Sequence, residues 1–236
     1  MLINEILTQL NETGGEIEDL HYLAKYITQF VKSKKPKGDY SINDIRNESR
    51  VPLNIHSVSV LSMVNELTFD FSPIDSVVLG GFLPDSFIIK IDLDKIKKYK
   101  NYSLESILVH ELQHALDFKK SHGKSFTDAV FDKNKMDEYL RWKEEINARF
   151  SEVLLVIAKK SPSRSKLQST MDKAFNERAI FRDLYEKGPK GQKQYNQLKK
   201  RAYKFYDEFV QIKSAESKSS FLGKVKSLIS QFSLIK

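Results

Sequence analysis

The sequence predicts an α+β domain with a small mixed sheet set among helices, followed by a helical C-terminal extension. Three observations carry that expectation. Apolar residues recur at three- and four-residue steps near the N-terminus and again after residue 103, the period of amphipathic or buried helices. Between them, residues 55–93 hold short β-branched or alternating runs punctuated by Pro73, Gly80-Gly81 and Pro84. Beyond residue 160 the pattern stays helical while the charge turns basic. A length of 236 residues suits one domain plus an extension, drawn here at residues 1–160 and 161–236.

Taken in order, Leu2, Ile3, Ile6, Leu7 and Leu10 predict a first helix ended near Gly14-Gly15. Ile17, Leu20, Ala24, Ile27 and Val31 predict a stronger amphipathic helix. Residues 34–39, with Pro36 and Gly38, read as a turn, and Ser41 to Asn47 as one or two helical turns. Three strand candidates follow: Ile55 to Leu61, the alternating Leu67, Phe69 and Phe71, and the short run Val77-Val78-Leu79. In a fourth, over residues 86–93, Phe87, Ile89, Ile91 and Leu93 alternate with Ile88, Lys90, Asp92 and Asp94, and its charged positions suit an edge strand. A helix capped at Asn101 or Ser103 and stopped by Ser121-His122-Gly123 comes next. Helical segments over Met136–Lys159, Lys166–Glu186, Gln192–Ile212 and Phe221–Leu234 complete the chain, with Gly188-Pro189 as a break.

Composition narrows the chemistry. With no cysteine there is no disulfide framework, thiolate metal ligand or thiol nucleophile, which fits a reducing compartment. Met1 to Leu10 lacks the basic start and apolar core of a secretory signal, and the longest aliphatic run, Val153 to Ala158, is far too short to span a bilayer. A soluble cytoplasmic protein is expected. The net charge of +8 is unevenly placed: residues 187–236 hold twelve Lys/Arg against three acids, while the rest of the chain is close to neutral.

The densest chemical signal is His110-Glu111-Leu112-Gln113-His114. On a helix, two histidines four apart project from one face. They suit two corners of a tetrahedral zinc site with the intervening glutamate beside its open position. Leu104, Ile107, Leu108, Val109, Leu112, Ala115, Leu116 and Phe118 make the helix apolar on nearly all sides. Ionisable groups in so buried a helix cost several kcal/mol unless they are paired or hold a metal.

A third ligand must come from elsewhere. The metzincin continuation needs glycine and histidine where this chain has Asp117 and Lys120, so that variant is excluded. Asp117 suits a hydrogen bond to a ligand imidazole better than ligation. His122, with Gly123 and Phe126, resembles the His-Gly-x-x-Phe ending of SprT- and WLM-type metalloproteases, where that histidine completes the zinc site. The favoured candidate is Glu145, with Glu144 as its register neighbour. Glu145-Ile146-Asn147-Ala148 resembles the Glu-x-x-Ala of gluzincin peptidases, whose glutamate reaches zinc from a second helix. Over roughly residues 76–156 the chain resembles predicted zincin metallopeptidases encoded by phages and other viruses.

That resemblance implies a zincin-like fold, Zn2+ held by His110, His114 and Glu145, and hydrolysis of peptide bonds with Glu111 as general base toward water. It implies a protein or peptide substrate, paired along the strand before the motif helix, and a location in host cytoplasm or virion. Tyr139, His122 and Arg149 are candidate donors to the developing oxyanion. Two other classes compete. Glu18-x-x-His21 and Glu111-x-x-His114 have the spacing of a di-iron carboxylate bundle, although the strand block between them and His110 argue against it. Alternatively the metal is structural or vestigial and the basic tail acts. Lys199-Lys200-Arg201 among Tyr195, Tyr203, Phe205 and Tyr206 mixes cations and aromatics, as nucleic-acid surfaces do, and a scaffold or virion protein is another possible partner.

Overall fold

Helix α1, Gly14–Lys34, forms where the apolar spacing demands it: Leu20, Leu23, Ala24, Ile27, Phe30 and Val31 are all buried along one stripe. Glu16 lies in its first turn and Lys32 and Lys34 in its last, complementing the helix dipole. The computed structural model describes residues 14–76, 78–99, 102–123 and 139–208. The helices expected over residues 2–10 and Phe221–Leu234 therefore lie outside the described residues. The chain divides into two units, Met1–Leu155 and Val156–Lys236.

In the first unit, β1 (Asp39–Ser41) runs into α2 (Ile42–Ser49), where Ser41 and Asp44 cap each other reciprocally. Residues 55–61 do not form the expected strand. Helix α3, Val58–Glu66, takes their place, because Val60, Met63 and Val64 are buried at helical spacing. The Asp19 carboxylate accepts from the His56 and Ser57 amides at 3.1 and 2.6 Å, satisfying donors at the entry to this helix. Burial on one helical stripe overrides β-branched propensity here.

The sheet holds β1, β2 (Thr68–Asp70), β3 (Gly80–Leu83) and β4 (Ile88–Ile91) in the order β1-β2-β4-β3. The β2–β4 pair is parallel, and the two outer pairs are antiparallel. Leu67, Phe69 and Phe71 are buried as their alternation predicts. Two expectations are corrected. Of the expected strand Val77-Val78-Leu79, Val77 lies outside the described residues and the observed strand begins only at Gly80, although Leu79 extends the ladder by accepting from the Asp92 amide at 2.9 Å. More consequentially, β4 is interior and not an edge. Its exposed-looking charge is matched sideways: Lys90 is in register with Asp70 and pairs with it at 3.1 Å. Asp92 lies beyond the strand as the N-cap of α4, Leu93–Lys98, accepting from the Lys95 amide. The edge beside the motif helix is β3.

Helix α5, Leu104–Lys120, starts at the Ser103 cap, whose side chain accepts from Ser106, and leaves through His122 and Gly123 at φ +52 and +77. It buries nine of the ten residues from Ile107 to Leu116, all but His114, against α1, α3 and the sheet. Gly80 lets β3 lie close to it: a Cβ there would sit 2.9 Å from both Ile107 Cγ2 and Ile91 Cδ1. Phe82 anchors the same strand further along, with its ring 5.7 Å from that of Phe118. Helix α6, Tyr139–Lys160, contributes its part up to Leu155 to this unit.

In the second unit the single helix expected over Lys166–Glu186 is broken into α7, Arg164–Asn176, and α8, Ala179–Glu186. Arg178 is extended at the break, and the turn brings the Phe181 and Phe175 rings to 4.7 Å. Helix α9 covers residues 189–208 after Gly188, which adopts φ +82. Leu167, Met171, Phe175, Phe181, Leu184, Leu198 and Ala202 form its buried interior. Among the described residues no helix is long and apolar enough to cross a membrane.

Candidate metal centre

His110 and His114 leave one face of α5 a single turn apart, with ring centroids separated by 4.6 Å and Nε2 atoms by 3.1 Å. Glu145 approaches from α6, placing Oε2 3.4 Å from His110 Nε2 and 3.5 Å from His114 Nε2. Zinc held at about 2.0–2.1 Å by tetrahedral ligands separates neighbouring donor atoms by about 3.3 Å. The three edges observed, 3.1, 3.4 and 3.5 Å, match that face. Two imidazole nitrogens and a carboxylate oxygen converging on one point could hold a metal ion, and the residues present fit it.

The tautomer is also set. His110 Nδ1 faces Glu152 Oε1 at 3.0 Å in a buried pair. A carboxylate only accepts, so Nδ1 carries a proton, and on the neutral ring Nε2 is the nitrogen left to offer a lone pair to the centre of the triangle. Arg149 closes a ring around these groups: its Nε donates to Glu145 Oε1 at 2.7 Å and its Nη1 to Glu152 Oε1 at 2.8 Å. Burial works against a charged His110. The Glu145 and Glu152 hydrogen bonds and the nearby carboxylate charges outweigh it, raising the imidazole to about 9. Burial likewise opposes ionisation of Glu145, but the two histidines and Arg149 hold its carboxyl far below the usual range. The pocket is thus strongly attractive to positive charge, whether a proton or a cation.

Glu111 is buried, and its Oε2 accepts from the Phe82 amide of β3 at 2.9 Å. The strand backbone therefore holds this carboxylate in place.

Helix α6 is seated on α5 by a buried polar network. Ser151 Oγ donates to Gln113 Oε1 at 2.7 Å, and Gln113 Nε2 donates to Asp117 Oδ1 at 2.9 Å. Asn147 Nδ2 donates to Asp117 Oδ2 at 3.1 Å. Burial pushes the Asp117 carboxyl up, with the Asn147 and Gln113 bonds opposing it. Ala148, fully buried, gives α6 a small residue on the packed side.

The structure brings His110, His114, Glu145 and their neighbour Glu111 together. Among the described residues neither Glu144 nor His122 joins the metal-competent group, and Glu18 and His21 take no part in it, His21 bonding instead to the Ser151 carbonyl. Arg149, a candidate oxyanion donor, spends its Nε and Nη1 on carboxylates. The Tyr139 side chain lies outside the described residues. The carboxylate on a ligand imidazole is Glu152, which sequence reasoning missed. Its signal was available: it follows Glu145 by seven residues, two helical turns, and so shares its face. No family model, curated protein or solved structure matches the chain.

Proposed function

We propose that the protein is a zinc-dependent metallopeptidase of gluzincin type, with His110, His114 and Glu145 as metal ligands and Glu111 as general base. The observation that carries the reading is the triangle of ligand atoms, with edges of 3.1–3.5 Å, beside a buried glutamate anchored to a strand backbone. When bound, zinc supplies a Lewis acid that acidifies water and polarises a carbonyl. The rest falls to the chain. Phe82 N–H occupies Glu111 Oε2, leaving Oε1 to take the proton of an attacking water and return it to the leaving amine. Glu152 keeps the His110 ring turned inward.

An extended peptide suits the geometry. Because Leu79 is a ladder-bonded position opposite Asp92, alternation turns Gly80 and Phe82 outward along β3, the last strand of the sheet. With the Phe82 N–H given to Glu111, backbone pairing through Gly80 and the Phe82 carbonyl would lay a peptide beside that carboxylate. The basic segment supports a nucleic-acid reading less well. Lys199 is engaged by Asp172 and lies over the Tyr195 ring, and Arg201 is largely enclosed.

The test is metal content and peptide cleavage on the same samples. Wild-type protein is expected to bind one equivalent of zinc and cleave an unstructured protein substrate. His110→Ala should lose both properties, while Glu111→Gln should retain zinc and lose about 10²–10⁴-fold in rate. Zinc-loaded protein cleaving no peptide, or Glu111→Gln cleaving at the wild-type rate, would refute the reading.

A further inference from the structure

Glu145 shows its two oxygens to different partners. Oε2 points to the histidine nitrogens, and Oε1 is held by Arg149 Nε at 2.7 Å. A carboxylate ligand can bind a cation through one oxygen or two, and the choice decides how many positions remain for water and substrate. We infer that Arg149 is a positioning residue that restricts Glu145 to one-oxygen ligation and so keeps a coordination position open. The inference rests on the metal-centre reading and deepens it.

The geometry suits a guanidinium and little else. Arg149 stands four residues after Glu145 and three before Glu152, so one planar group reaches both acids from the same helix. It binds Glu145 on the oxygen turned away from the histidines. It also binds the Glu152 oxygen that holds His110 Nδ1, at 2.8 and 3.0 Å. The loop from Glu145 through Arg149 and Glu152 to His110 is closed, so the orientations of a carboxylate ligand and an imidazole ligand are coupled through one side chain. Arg149 also separates two carboxylates that would otherwise repel across the imidazole. An ammonium is a point charge on a flexible stem and cannot make two fork contacts in fixed directions. Lysine at this position would supply the charge without the geometry.

The prediction is read with cobalt(II) in place of zinc, because the intensity of its visible bands falls as coordination number rises above four. Wild-type protein should show the strong absorption of a four-coordinate ion. Arg149→Met should weaken those bands by at least twofold and reduce zinc affinity by about 10–100-fold in a chelator competition. Arg149→Lys should recover part of the affinity but not the spectrum. Should Arg149→Met fail to fold, as judged by circular dichroism, Arg149→Lys reads the same quantity. Wild-type spectra in the folded variants would overturn the inference and leave the metal site standing. Recovery of the spectrum by lysine would reduce Arg149 to a source of charge. Wild-type protein that takes up neither zinc nor cobalt would overturn the metal reading and this inference with it.

Discussion

Helices α5 and α6 supply the two halves of the site by different means. On α5 the candidate ligands are local: His110 and His114 are one turn apart on an apolar, deeply buried helix, and helical geometry alone aligns them. On α6 the candidate ligand Glu145 is charged, partly exposed, and useful only if the helix docks at the right height. The 36% exposure of the Glu145 side chain against 10% for His110 expresses this difference. The contrast teaches that half of the centre is specified by secondary structure and half by tertiary registration. The registration is carried by Ser151–Gln113 and Asn147–Asp117, polar pairs a few residues from the site.

The largest effect expected of breaking that registration comes from α6. Ser151→Ala leaves the buried Gln113 oxygen without its hydroxyl donor, and Asn147→Ala removes a donor to the Asp117 carboxyl. Each should cost about 1–3 kcal/mol in urea denaturation. Each should also weaken zinc binding, since Glu145 is displaced while the histidine pair is not. Zinc affinity unchanged in a measurably destabilised Asn147→Ala would show that Glu145 finds the site without this network.

A smaller effect is expected on the opposite side of α5, where β3 holds Glu111. Gly80→Ala places a methyl 2.9 Å from Ile107 Cγ2 and from the tip of Ile91, whereas Gly81 has nothing within 4 Å. The first substitution should cost about 1–2 kcal/mol and loosen the Phe82 amide from Glu111, while Gly81→Ala should be close to neutral. Equal effects at the two glycines would mean that the close approach of β3 is not what positions Glu111, the proposed general base.

The difference between the two helices also explains what was legible in the sequence. The motif, its cap at Ser103 and its stop at His122-Gly123 follow from local rules, and each is found where the pattern places it. Glu145 could be favoured over Glu144 only through resemblance, because both lie on one helix and only docking distinguishes their faces. Glu152 is marked only by sharing the Glu145 face two turns on, and that spacing does not name a histidine forty-two residues before it as the partner. Ile55 to Leu61 reads as extended because the run is β-branched and serine-rich. The stripe of Val60, Met63 and Val64 becomes decisive only when there is a helix surface to bury it against. Charges alternate along strand β4 as they do on edge strands, but a charge is no sign of exposure when its partner lies on the next strand.

That last case has a measurable consequence. Burial works to raise the Asp70 carboxyl, but the bonds from Ser72 and Lys90 outweigh it and hold it below the usual 3.8. A carboxyl lowered by folding stabilises the native state above its unfolded value and loses that contribution as pH falls through its folded one. With side-chain exposures of 15% and 30%, the pair is partly shielded, and about 0.5–1 kcal/mol is a reasonable magnitude. The protein should therefore lose stability as pH falls from about 5 toward 2, and Lys90→Met should make the part of that loss due to Asp70 shallower. The part due to the Ser72 amide, 2.9 Å from Asp70 Oδ1, should survive in the variant. Identical pH profiles for wild type and Lys90→Met would mean that the lateral pair does not neutralise the charge of β4. The interior position of that strand would then rest on Ile89 and Ile91 alone, both fully buried.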